Sequence, residues 1–146
     1  MRPRRHSSPP SWPRWTARGA LAVVLAWNLQ AALTFILAPD AHVAGFEVSG
    51  IPGRTVVRGF GILFLMWNVP YAAALVQPVR HIVPFACAVV AQCIGLAGEV
   101  WLFAALPPGH DALRATGLRF IAFDAAGLVL LVATFAVVLR FRRTAG

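Results

Sequence analysis

Four stretches of this 146-residue chain are nearly free of charge and long enough to cross a bilayer, and nothing else limits its fold so tightly. About 20 residues of α-helix cover ~30 Å of hydrocarbon. Residues 20–38 and 59–77 carry no charged side chain, 82–106 carry only Glu99, and 120–139 carry only Asp124. In hydrocarbon every backbone N–H and C=O must find its partner within the protein, so such runs become helices. Short connections make sequence-adjacent helices antiparallel neighbours. The predicted fold is therefore all-α, an integral membrane up-down four-helix bundle. An apolar content of 59% with 12% charged residues lies outside the soluble range and agrees.

Charge orients the bundle. Every basic side chain is arginine. With a cytoplasmic N-terminus, Arg2, Arg4, Arg5, Arg14, Arg18, Arg80, Arg140, Arg142 and Arg143 lie inside, while Arg54, Arg58, Arg114 and Arg119 lie outside. That asymmetry follows the positive-inside rule and predicts a multi-pass protein of the cell inner membrane with both termini cytoplasmic. Three segments follow: a basic disordered tail over 1–18, a transmembrane domain over 19–140 and a basic tail over 141–146. The Pro-, Ser- and Arg-rich start also resembles a signal-peptide n-region. The apolar run behind it exceeds the usual signal length of about 7 to 15 residues and contains Asn28 and Gln30, so an uncleaved first helix is expected. With a net charge of +8 carried beside apolar spans, the expected partner is the lipid bilayer, with anionic lipid at the basic tails, and no nucleic acid. Trp12 and Trp15 suit an inner interfacial belt and Trp101 an outer one, whereas Trp27 and Trp67 fall mid-span.

Polar residues within the spans carry the functional reading. The stretch "RGFGILFLMWNVPYAA", residues 58–73, places Asn68 and Pro70 inside an apolar run. At ~1.5 Å of rise per residue, Asn28, Asn68 and Gln92 fall near mid-membrane, and Glu99 and Asp124 in the outer half. Arg58 and Arg119 sit at the outer edge, within reach of those acids. A charged carboxylate at a span centre costs on the order of 3 kcal/mol, so these groups should face one another inside the bundle. Helical spacing supports this: Ala88, Gln92, Gly95 and Glu99 share one face of the third span. Arg58, Gly61, Leu65, Asn68 and Ala72 do so in the second, and Asp124, Gly127, Leu131 and Thr134 in the fourth. Small residues beside polar ones allow close helix approach. Asn68 is expected to bond Asn28 or Gln92, and the carbonyl freed by Pro70 to find a neighbouring partner.

These groups admit a bland reading, in which polar contacts worth about 0.6 to 2 kcal/mol each merely hold short helices together. They also admit a ligand-binding or proton-relay reading, with Arg58, Asn68, Gln92, Glu99, Arg119, Asp124 and Asn28 around an outward-opening polar pocket. A binding or accessory subunit, alone as a homo-oligomer or in a membrane complex, is expected rather than an enzyme, and the alternative is an oligomeric small-molecule or proton-coupled transporter. No catalytic residue, metal ligand or cofactor is assigned. Asp40, His42, Glu47, His110 and Asp111 in the outer loops have metal-ligand chemistry, yet their spacing matches no ligand motif. Cys87 and Cys93 are too far apart along a helix to pair, and buried free thiols are expected. "LAWNLQAAL" and "LMWNVPYAAAL" share Trp-Asn in successive spans, a single dipeptide and too little to establish a duplication.

The helix count, the loop lengths, Pro39 at the end of the first span and the Arg58-Gly-Phe-Gly61 start of the second resemble the small bacterial four-helix membrane proteins grouped as DoxX-like or BphX-like. The resemblance covers about residues 18–140. Most members of those groups lack an assigned activity, and the DoxX name comes from a protein associated with quinone-linked oxidation of sulfur compounds. The resemblance implies a bacterial membrane bundle and carries over no site residue.

Overall fold

A computed structural model describes residues 11–145. Its main helices are α1 (Trp12–Leu37), α2 (Gly50–Trp67), α3 (Val69–Val76), α4 (Ile82–Ala105) and α5 (Asp111–Ala145). Two 3-10 turns, Pro39–Ala41 and Val43–Phe46, link α1 to α2. Helices α2 and α3 are two parts of one span broken at Asn68, so the chain makes four passes of a length and hydropathy that can cross a membrane. The up-down bundle closes as a ring: α1 packs on α2, α3 on α4, α4 on α5, and α5 back on α1. The outer surface is apolar, with Val83, Ile94 and Val129 facing away from the protein. Such a surface requires a lipid solvent.

Four boundaries differ from the sequence reading. Residues 12–18, expected as part of a disordered tail, form the first two turns of α1. Pro13 is accommodated there because the first turn of a helix needs no N–H from it, and Pro13 and Ala17 are both buried. Residues 1–10 of that tail lie outside the described residues. Helix α5 begins at Asp111, well before residue 120, because the carboxylate of Glu47, far away in sequence, accepts hydrogen bonds from the Ala112 and Leu113 backbone N–H groups at 3.2 Å each. It then runs on through the basic segment to Ala145. Helix α2 starts at Gly50, so Arg54 and Arg58 belong to its first turns.

Packing divides the bundle into two halves. Towards the chain termini, Leu21 and Val24 of α1, Tyr71 and Ala74 of α3, Phe85 and Ala88 of α4, and Leu131 and Val138 of α5 make one continuous core. Phe85 and Phe135 meet edge-on there at 5.0 Å. Towards the opposite end, α1 and α2 press together through Gly61. A Cβ on Gly61 would come within 2.7 Å of the Ala32 carbonyl oxygen and of Ile36, whereas one on Gly59, two residues away, would meet nothing within 4 Å. Gly61→Ala is therefore expected to destabilise the bundle by about 1–3 kcal/mol through overpacking, with Gly59→Ala near neutral. Paired thermal or denaturant unfolding of the two variants in detergent measures the difference.

Candidate functional site

The break at Asn68 has a local cause. Pro70 cannot donate a backbone hydrogen bond, so the ladder is interrupted and the chain restarts with Ala72 N–H donating to the Asn68 carbonyl at 3.0 Å. Asn68, 4% exposed, turns its side chain back on its own helix, where Nδ2 donates to the Phe64 carbonyl at 2.8 Å. The expected bond to Asn28 or Gln92 is not made, and the Asn68 Oδ1 is buried without a partner. Asn68 thus contributes to the shape of the second span and stays out of the cavity described next.

Below the turns formed by residues 38–49 and 106–110, α1, α2, α4 and α5 enclose a cavity of about 500 Å3. Its walls are aromatic and aliphatic, with Trp27 on α1, Phe64 and Trp67 on α2, and Phe120 and Phe123 on α5. Trp27 packs on Phe123 at 5.4 Å. The two mid-span tryptophans that suited no interfacial belt are therefore cavity walls. At the turn end, Phe35, Phe46, Phe64 and Phe120 stack and meet edge-on with centroids 5.6 to 6.3 Å apart, which roofs the space. Helix α2 packs on α1, and no comparable packing joins it to α4. The gap between them is edged by Leu63 of α2 and Ile94 and Leu102 of α4, all strongly exposed, so the cavity communicates sideways with the bundle's lipid-facing surface.

Polar groups reach the cavity from three helices. Asn28 comes from α1, Gln92 and Glu99 from α4, and Asp124 from α5. The i, i+4, i+7, i+11 face of α4 does point inward, with Ala88 and Gln92 buried and Gly95 and Glu99 half-buried. Gly95 matters for its lack of a side chain, since a Cβ there would lie 3.0 Å from the Asp124 Oδ2. Gly127 likewise makes room for Gln92. The floor is a hydrogen-bonded chain in which the Tyr71 hydroxyl donates to Gln92 Oε1 at 2.5 Å, and Gln92 Nε2 donates to the Asp124 carbonyl at 3.3 Å. Tyr71 is fully buried and was not singled out from the sequence. Its signal was available, because it is the chain's sole tyrosine and sits one turn beyond Asn68 in an apolar span.

The arginines do not join this group. Arg58 and Arg119 are exposed, and no basic side chain among the described residues lines the cavity. Arg119 donates to Thr116 Oγ1 of its own helix at 3.1 Å. Among the described residues the ion pairs are Arg54 with Asp40 and His110 with Glu47, both outside the spans' interior. The expected cluster of two acids and two arginines is therefore replaced by two acids without a basic partner, and the Glu99 Oε2 is buried without a hydrogen bond. Long guanidinium side chains on a helix surface can extend along it to the headgroup level more cheaply than into the apolar interior. Cys87 and Cys93 are free, as expected, but exposed on outward faces of α4 instead of buried.

The loops over residues 38–49 and 106–110 form a clasp. His110 and Glu47 meet at 2.5 Å, Asp40 pairs with Arg54, and His42 lies edge-on to Phe35 at 4.6 Å. No group of three His, Cys, Asp or Glu side chains converges among the described residues. Burial, helped by the nearby Arg119 charge, holds the His42 imidazole below its ordinary value. Glu47 takes a left-handed backbone with φ of 52° that aims its side chain at the start of α5. The His110 hydrogen bond, with the two α5 amides, lowers the Glu47 carboxyl from its usual range.

In comparisons with protein-family models, curated proteins and solved structures, nothing matches this chain.

Two outcomes test this geometry. Tyr71→Phe leaves the Gln92 acceptor unsatisfied in the core and is expected to cost about 1–3 kcal/mol. A double-mutant cycle with Gln92→Leu should return a coupling of about 0.6–1.7 kcal/mol, read from unfolding in detergent. A carboxyl lowered in the folded state stabilises it fully above the unfolded value and loses that contribution as pH falls through the lowered one. Wild type should therefore melt above Glu47→Gln at neutral pH, and the two melting curves should converge as pH drops below the ordinary glutamate range.

Proposed function

We propose that this chain is a small-molecule-binding protein of the bilayer, and that its cavity takes up an amphiphilic ligand from the lipid through the gap between α2 and α4. The observation that carries this reading is a laterally open cavity of about 500 Å3, mostly apolar, with a few polar groups converging on it. That volume falls within the roughly 300–1,000 Å3 of small-molecule sites, and the mixture of apolar wall and sparse polar anchors is their usual chemistry. The bland reading, helix glue, accounts for the Tyr71–Gln92–Asp124 chain. It leaves Glu99 and the unfilled space beside it without a role.

The arginine asymmetry supports an inner-membrane placement with both ends cytoplasmic, which would set the cavity in the outer leaflet's half. A binding or accessory role, in a homo-oligomer or beside a membrane partner, suits a cavity whose polar groups are few and set among apolar walls. A carrier is the second reading, and the broken second span favours it, since discontinuous helices beside a central cavity recur in transporters.

Gly98 lines the cavity, and a Cβ there would meet nothing within 4 Å, so a large side chain can be placed into the space. Purified protein in lipid nanodiscs, offered aromatic amphiphiles that are cationic, anionic and neutral, is expected to bind at least one saturably, with quenching of tryptophan emission. Gly98→Trp should weaken that binding at least about tenfold. If no amphiphile binds saturably, the reading is wrong. In sealed vesicles the same ligand should show no linked proton flux if the protein only binds, and a flux if it carries.

A further inference from the structure

The geometry points to the class of ligand: an aromatic organic cation, held with its charge beside Glu99 and Asp124 and its apolar body against the cavity's aromatic walls. The inference rests on the cavity being a binding site and adds what selects the occupant.

Charge complementarity decides the sign. Two carboxyl groups, one from α4 and one from α5, line a space whose remaining surface is chiefly aromatic and aliphatic. Among the described residues no arginine or histidine lines it. The nearest candidates among the basic side chains are committed elsewhere: Arg119 to Thr116, and Arg114 to the Leu106 carbonyl and the face of Phe103. Arg58 is exposed. A carboxylate in such a place needs a positive partner, which only a proton or an incoming cation can supply. An anion would face two acids with no donor cation to offset them. A neutral apolar molecule, including an acyl chain, would fill the walls and leave protons as the acids' only compensation, making no use of the charge they can carry.

The walls decide the rest. Trp27, Trp67, Phe64, Phe120 and Phe123 line the same cavity as the acids. Aromatic faces attract positive charge, most strongly where water is excluded, and indole is the best of them. A small hydrated cation gains little from that lining and would have to shed its water in an apolar gap. A delocalised or shielded positive charge on a lipid-soluble body meets both demands, and it can enter from the bilayer between α2 and α4. The roof of phenylalanines closes the aqueous end. Gln92, anchored by Tyr71, holds the floor and keeps the Asp124 backbone in place.

The test uses two probes of nearly one shape and opposite charge, tetraphenylphosphonium and tetraphenylborate, with the smaller triphenylphosphine oxide as an uncharged reference. Each is measured for saturable binding to the full-length protein in zwitterionic nanodiscs, with empty nanodiscs subtracted. The phosphonium is expected to bind, the borate not at all, and the oxide at least about tenfold more weakly than the phosphonium. Glu99→Gln and Asp124→Asn, which preserve shape, should each weaken phosphonium binding by about tenfold or more and leave oxide binding unchanged. Should the borate or the oxide match the phosphonium, or both carboxamide variants keep wild-type affinity, the cation inference is overturned while the cavity stands as a site. If no probe binds and Gly98→Trp alters nothing, the binding reading falls with it. A concentration-dependent change of oligomeric state on adding Gly98→Trp, with no probe bound in wild type, would assign the space to a second copy of this chain and overturn both.

Discussion

Hydrocarbon offers a polar group no partner, so every donor and acceptor in the spans has to be answered by the chain itself. The structure resolves that demand in three ways. Asn68 answers it in part within its own helix, its Nδ2 donating to the Phe64 carbonyl just before Pro70 interrupts the ladder while its Oδ1 stays unpartnered. Gln92 answers it between helices, receiving from Tyr71 and donating to the Asp124 backbone. Glu99 is left with an oxygen that nothing in the described chain satisfies. The first two arrangements build the bundle, and the third marks where it is incomplete.

The division of labour between the two ends follows from side-chain size. Near the termini, alternating large and small residues such as Phe85, Ala88, Leu21 and Ala17 fill the space between four helices. At the other end the large aromatics lie around the perimeter and form a roof, while Gly95 and Gly98 leave the middle of α4 bare. A glycine facing another helix usually brings the two closer, as Gly61 does for α1 and α2. Gly95 instead admits a carboxylate, so the same residue type serves adhesion in one place and an opening in the other.

Hydropathy alone made the four passes legible, because length and charge exclusion are properties of each run by itself. Helical periodicity also placed Gln92, Gly95 and Glu99 on the inner face of α4, since that face is set by a fixed angle per residue. What failed depended on groups distant in sequence or on a choice between two favourable positions. Helix α5 starts early because Glu47 caps it across the bundle. Arg58 and Arg119 had both acids and headgroups within reach, and matching depth could not show which way a flexible side chain would turn. Asn68 lay at the depth of Asn28 and Gln92, yet the kink beside it rotated its amide into a purely local bond.

The contact at Gly61 has a mechanical consequence. With the Ala32 carbonyl and Ile36 pressed against a position that has no room even for a methyl group, α1 and α2 move as one slab. Beyond the Asn68 break, α3 lies against both α1 and α4. The α2 edge of the lateral window is therefore pinned to α1, with no comparable contact tying it to the α4 edge.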